Sequence, residues 1–214
     1  ASIAYNQFGW VHDKTSFIVG DKEIKVNNVV PVPPSVSTLP IVPLIKTEGS
    51  FHEWKDVINI YSREGYERKA LGFFMGFGAM LVEFTDLKGG MLNLYSGTSG
   101  SGKSTVLEAV NSIFGDPNKL LLIKKDTHNA KMQRIGVLNN LPPTIDEITN
   151  LPPDQMSELI YDITMGRGKN RLRQHANAER LNHTAWATLL LTSSNRSVVD
   201  ALMSVKSRPE GELN

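Results

Sequence analysis

The sequence predicts an α/β fold: a parallel sheet flanked by helices, led in by a helical segment and preceded by a small β-rich appendage. Three observations predict it. From Gly90 onward, short apolar runs alternate with helical ones, strand then helix, as crossover-connected parallel strands require. In "YSGTSGSGKSTVLEAV" a glycine-rich turn joins the first such strand to the first such helix. Five prolines between Val30 and Leu44 separate that region from β-like segments at the start of the chain.

Each element has its own warrant. "FGWVH", "TSFIVG" and "EIKVNNVVPV" are short β-like runs broken by Asp, Lys, Gly and Asn. The proline stretch reads as an extended connector, so residues 1–49 form the appendage and 50–214 the core. Within the core, 50–88 is a helical lead-in and 89–214 the part built around the glycine-rich turn. Ser50 with Glu53 makes a capping-box signature, and Trp54, Val57, Ile58 and Tyr61 follow at helical spacing. "YERKALGFFMGFGAMLVEFTD" is apolar nearly all round and reads as a buried helix. Its Gly72, Gly76 and Gly78 do not have dinucleotide-motif spacing and read as close helix packing.

This last part then unrolls in order. "MLNLYS" is a buried strand, Lys103 to Phe114 a helix, and "KLLLIKK" a second strand. Asp126 or Thr127 caps the helix in "DTHNAKMQRIGVLNN". "LPPTIDEIT" is a third strand ending in acids, and "PPDQMSELIYDITMG" a helix with Pro in its first turn. "TAWATLLLTSSN" is a fourth strand, strongly apolar until its polar end.

Bulk properties narrow the function classes. Of 214 residues, 40% are hydrophobic and 21% charged, ordinary for a globular chain, and the net charge is only +1. A nucleic-acid partner must therefore be met by a local basic cluster. There is no cysteine, hence no disulfide, thiol nucleophile or cysteine zinc site, which fits a reducing cytoplasm. No apolar run reaches the roughly 18 residues of a membrane span, and no signal peptide is visible. The start lacks an initiator Met and already looks like a strand, so a fragment of a longer polypeptide is expected.

The chemistry sits in four places. Gly97, Gly102, Lys103 and Ser104 meet the pattern G-x-x-x-x-G-K-[ST], the signature of a phosphate cradle. Its expected contacts run through Gly97, Thr98, Ser99, Gly100, Ser101, Gly102, Lys103, Ser104 and Thr105. Backbone N–H groups would line up on phosphate oxygens, Lys103 would reach the β- and γ-phosphates of ATP, and Ser104 would ligate Mg²⁺. Asp146 and Glu147 end the third strand, one to hold the Mg²⁺ shell and the other as the base that orients water. Asn195 closes the fourth strand, where it either meets the γ-phosphate or belongs to a turn capping the next helix. "GRGKNRLRQHANAER" gathers Arg167, Lys169, Arg171, Arg173 and Arg180. These either contact nucleic-acid phosphates, form a solvated surface, or send one arginine to a neighbour's ATP. His128, His175 and His183 show no metal-ligand spacing.

The first three in this order resemble the AAA+ ATPases, as Walker A, Walker B and a sensor-1 Asn. "YDITMGRGKNRLRQ…WATLLLTSSN" after "IDEIT" looks like the helicase-type ATPases of phages and plasmids, near the superfamily 3 helicases. Gly166, Gly168, Lys169 and Arg171 match the G-x-G-K-x-R loop of that group's mobile-element members. The resemblance covers about Trp54 to the end and implies a homohexameric ring with ATP sites between subunits, translocating on single-stranded DNA in the cytoplasm, a host's if phage-encoded. It also implies a fused or associated primase or polymerase. A trans-acting arginine is expected after sensor 1, with Arg208 first and Arg196 second. No lid domain with a sensor-2 arginine follows, a departure from typical AAA+ proteins. A P-loop small-molecule kinase and a nucleotide-switched assembly module are the competing readings.

Overall fold

The structure, a computed structural model, describes residues 3–123, 125–168, 171–173, 176–180 and 185–203, with 171–173 and 176–180 by their backbone. The chain is mixed α/β. It opens with an antiparallel four-stranded meander: β1 (Gly9–Trp10), β2 (Ser16–Val19), β3 (Lys22–Lys25) and β4 (Asn28–Pro31), in that spatial order. "EIKVNNVVPV" is thus two strands, because a turn at Val26 and Asn27 folds it back on itself. The proline stretch is not simply extended. It bridges Tyr5 to Pro34 and then winds into a 3₁₀ turn, Val42–Leu44. Phe8, Phe17, Ile18 and Ile41 share an apolar cluster with Leu120, Val137, Leu138 and Leu141, which ties the meander to the following helices.

Two helices lead in. α1 (Phe51–Ile58) starts at Ser50, whose side chain accepts from the Glu53 amide at 3.4 Å, and passes into a 3₁₀ turn, Asn59–Ser62. α2 (Glu67–Leu81) buries Gly72, Phe73, Gly76 and Ala79. A Cβ on Gly72 or Gly76 would stand 3.0 Å from Val106 or Val110, so these glycines set a close approach to the next helix. The far side of α2 is open: Leu71, Phe74 and Leu81 are each more than half exposed. This corrects the expectation of a helix buried all round. The glycine face is covered, and among the described residues nothing covers the opposite one.

The main sheet is parallel and three-stranded, in the order β5 (Gly89–Tyr95), β9 (Thr188–Ser194), β6 (Thr144–Ile145). Between β5 and β6 come α3 (Lys103–Asn111) and α4 (His128–Leu138); α5 (Pro153–Met165), β7 (Arg171–Arg173) and β8 (Ala176–Arg180) follow β6, and α6 (Val198–Met203) follows β9. β6 is shorter than expected, since Pro142 and Pro143 just before it cannot extend a ladder through their nitrogens. "KLLLIKK" supplies one isolated bridge, Leu122 to Ile145, in place of a strand. Asp116 accepts from the Asn118 and Lys119 amides and holds a turn there. Leu120, Leu121 and Leu122 then enter three different apolar clusters, which a two-faced strand could not arrange.

Gly89 is where α5 meets the sheet. A Cβ there would lie 2.3 Å from the Ile163 carbonyl oxygen and 3.2 Å from that of Thr188, both backbone. Gly89→Ala is therefore expected to destabilise the chain by about 1–3 kcal/mol. Thermal unfolding should show it as a fall of roughly 2–4 °C per kcal/mol.

Candidate functional site

Parallel pairing puts the carboxyl ends of β5, β9 and β6 on one edge, with Tyr95 opposite Ser194 and Ile145 opposite Thr192. Ligands bind at such edges in open α/β sheets. Three loops leave from it: the glycine loop after Tyr95, the Asp146–Glu147 turn after Ile145, and Asn195 after Ser194.

The glycine loop ends in Gly102 at φ +81°, the N-cap of α3. That left-handed conformation suits glycine, and it aims the first turn of α3 at the loop's interior. α3 is anchored behind by Val106, Leu107 and Val110, all fully buried. Ser104, half-buried on the first turn, donates to Asp146 Oδ1 at 3.0 Å. Lys103 Nζ donates to Ser96 O at 3.2 Å, Thr98 O at 3.4 Å and Ser101 Oγ at 3.3 Å, spanning the loop. Its shortest contact is Asn195 Oδ1, at 2.9 Å.

The acidic pair follows β6 immediately. Glu147 sits at φ 52°, ψ 54°, a left-handed conformation uncommon outside glycine and asparagine. Adjacent strand residues face opposite ways, so this backbone reversal is what lets both acids serve one edge. Ser193 fixes the turn: its hydroxyl donates to Asp146 Oδ1 and accepts the Glu147 amide at 2.9 Å. Asn195 Nδ2 donates to Glu147 Oε1 at 2.6 Å. One amide thereby links a cation to a carboxylate, oxygen toward Lys103 and nitrogen toward Glu147. Only this orientation satisfies both partners.

Lys103, Ser104, Asp146, Glu147 and Asn195 are therefore one hydrogen-bonded group. Thr98, Ser99, Gly100 and Thr105 are exposed around it. The hard-oxygen pair of Ser104 and Asp146 has the donor chemistry that Mg²⁺ takes. One participant, Ser193, and one neighbour, Lys69, carry no motif. Ser193 was legible only as one polar residue among several at a strand end. Lys69 of α2 brings its Nζ to 3.2 Å from where a Cβ on Gly102 would be, and 4.8 Å from the Tyr66 ring centre. A lysine one turn into a separate helix has no signal in sequence spacing.

The basic segment is separate. β7 and β8 pair antiparallel, with Arg171 opposite Arg180 and Arg173 opposite Ala176, and the ladder shifts register between Leu172 and Arg173. Exposed Arg167 bridges to Ala185 below the hairpin. Lys169, His175, His183 and Arg208 lie outside the described residues. Arg196 donates from Nη2 to Thr149 O at 2.8 Å, within its own chain. Among the described residues no helix is long and apolar enough to cross a membrane.

A family model described as "Domain of unknown function (DUF927)" matches residues 1–183. No curated protein matches the chain. A solved structure described as "SCCmec type IV Cch - active helicase" is similar to it, with a TM-score of 0.66 and 23% identity. That likeness covers 94% of this chain and 38% of the other, so the chain spans well under half of the structure it matches. At such identity the likeness is one of fold.

Proposed function

We propose that this chain, which belongs to the DUF927 family, is the ATP-hydrolysing segment of a DNA helicase, with an AAA+-like P-loop core near the superfamily 3 type. It would work as a homohexameric ring on single-stranded DNA within a phage or plasmid replication system. The observation that carries the reading is the Lys103–Asn195–Glu147 relay beside the Ser104–Asp146 pair, all at the carboxyl edge of a parallel sheet. The fold-level likeness to part of a helicase supports it.

In this reading the glycine-loop amides and Lys103 hold the phosphates. Ser104 and Asp146 would hold Mg²⁺, which would supply charge neutralisation at the phosphates. Glu147 accepts a proton from the water it orients. Asn195 links that carboxylate to Lys103, so a change in the lysine's contacts on nucleotide binding is felt by the base. The first test is ATP turnover with and without single-stranded DNA. Stimulation by DNA supports a motor; turnover only with a small-molecule phosphate acceptor, or none at all, overturns it.

The basic hairpin gives a second expected outcome. Each phosphate contact to a single strand contributes a log–log salt slope of about −0.7. In the full-length protein, Lys169→Ala with Arg173→Ala should make the slope shallower by about 1.4 while ATP binding persists. Fluorescent-oligonucleotide titrations at several salt concentrations measure it. An unchanged slope with lost turnover would instead assign this segment an arginine acting on a neighbour's ATP.

A further inference from the structure

Away from the glycine loop, α4 and α5 bring together three side chains of metal-ligand type. Thr127 caps α4, accepting from the Ala130 amide, which places His128 at the first helical position. Glu158 and Asp162 stand one turn apart on the same face of α5. His128 Nε2 lies 3.4 Å from Asp162 Oδ2 and 3.9 Å from Glu158 Oε2, and one ligand atom from each residue fits within 4.8 Å of the others.

Asp162 is the informative member. It is 3% exposed, and among the described residues its Oδ2 accepts no hydrogen bond. A buried carboxylate oxygen with no donor is unfavourable unless a cation meets it. Lys131, the other cation on that turn of α4, is committed to the Asp126 carbonyl. His128 Nε2 comes near but makes no hydrogen bond to Oδ2, so nitrogen and oxygen converge on shared space. Their 3.4 Å separation is close to a tetrahedral edge for metal–ligand bonds of about 2.0–2.1 Å.

We propose that His128, Glu158 and Asp162 bind a divalent transition-metal ion, Zn²⁺ by its chemistry, with a fourth position open to solvent. One imidazole and two carboxylates suit zinc, whereas Mg²⁺ and Ca²⁺ take oxygen ligands. The ion would pin the first turn of α4 to α5. α5 runs from the turn after Asp146 and Glu147 to Gly166 at the foot of the basic hairpin, so the site braces the element between them. It is independent of the ATPase reading.

The test is calorimetric titration of ZnCl₂ into the tag-free, nucleotide-free full-length protein, with Mg²⁺ in excess to occupy oxygen-only sites. One equivalent should bind, and its affinity should fall by more than about 100-fold in His128→Ala and in Glu158→Gln, since even outer partners of a metal site are worth about 10–100-fold. Both substitutions are at partly exposed positions, so two routes to a folded variant exist. His52→Ala removes a mostly exposed His–Asp pair at 3.5 Å and should change nothing. Zinc should also raise the unfolding temperature of the unaltered protein and leave that of His128→Ala where it was. No binding, or equal binding with and without His128 and Glu158, overturns the proposal.

Discussion

Replacing Glu147 with Gln is expected to lower ATP turnover by about 10²–10⁴-fold, the usual worth of a positioned base, while ATP binding survives. That loss corresponds to about 2.7–5.4 kcal/mol in the barrier. Gln keeps the size of Glu, and its Oε1 can still accept from Asn195 Nδ2, which now donates to Glu147 Oε1 at 2.6 Å. The backbone amide at 147 still donates to Ser193. Only the capacity to take a proton is removed, so the effect should fall on turnover and leave binding and fold alone. Phosphate release measured beside nucleotide titration separates the two. Normal turnover in Glu147→Gln would remove Glu147 from the mechanism, and lost binding would show that it acts by positioning the loop.

What the sequence could reveal follows from how far apart cooperating residues lie. The glycine loop is contiguous, so its pattern and its strand–helix setting are read directly. β9 is equally plain, with its run of leucines ending in polar residues. The relay is less so. Asn195 and the residues before it read equally well as a helix cap, and Ser197 does serve α6 that way, accepting the Asp200 amide at 3.2 Å. Only the parallel register, with β9 between β5 and β6, puts Asn195 between Lys103 and Glu147. Two adjacent acids at a strand end are legible in the sequence; the left-handed backbone at Glu147 that turns both to one edge is not, since no composition announces it.

Other features depend on contacts between distant segments. The open face of α2 was hidden because apolar composition says that a surface avoids water, not what covers it. His128 and Asp162 showed no ligand spacing because their spacing belongs to two helices, and only packing brings them to 3.4 Å. "KLLLIKK" misled for a related reason: three consecutive leucines served three clusters, and β propensity yielded to tertiary demand.

The second large effect is expected at Lys103, whose replacement by Ala should weaken ATP binding by about 10²–10⁴-fold and abolish turnover. Hydrogen bonds to a charged group are worth about 1.5–3 kcal/mol each, and a phosphate-binding lysine makes two or so of them. The ammonium now holds Asn195 Oδ1 at 2.9 Å and two loop carbonyls at 3.2 and 3.4 Å, so it is already placed inside the loop's curve. Stability should change little, by about 1 kcal/mol or less, since the side chain makes no ion pair among the described residues and fills no core. The companion variant Asn195→Ala separates two roles. If Lys103 acts on phosphate directly, Asn195→Ala should keep near-normal binding and lose turnover, because only the link to Glu147 is cut. If Lys103 serves only to hold Asn195 and Glu147, the two variants should match, each binding ATP normally with the same slowed turnover. Fluorescent-nucleotide titration and phosphate release on both variants, with thermal unfolding as the check on folding, decide between these outcomes. Unchanged ATP affinity in Lys103→Ala would overturn the phosphate-cradle reading of the glycine loop.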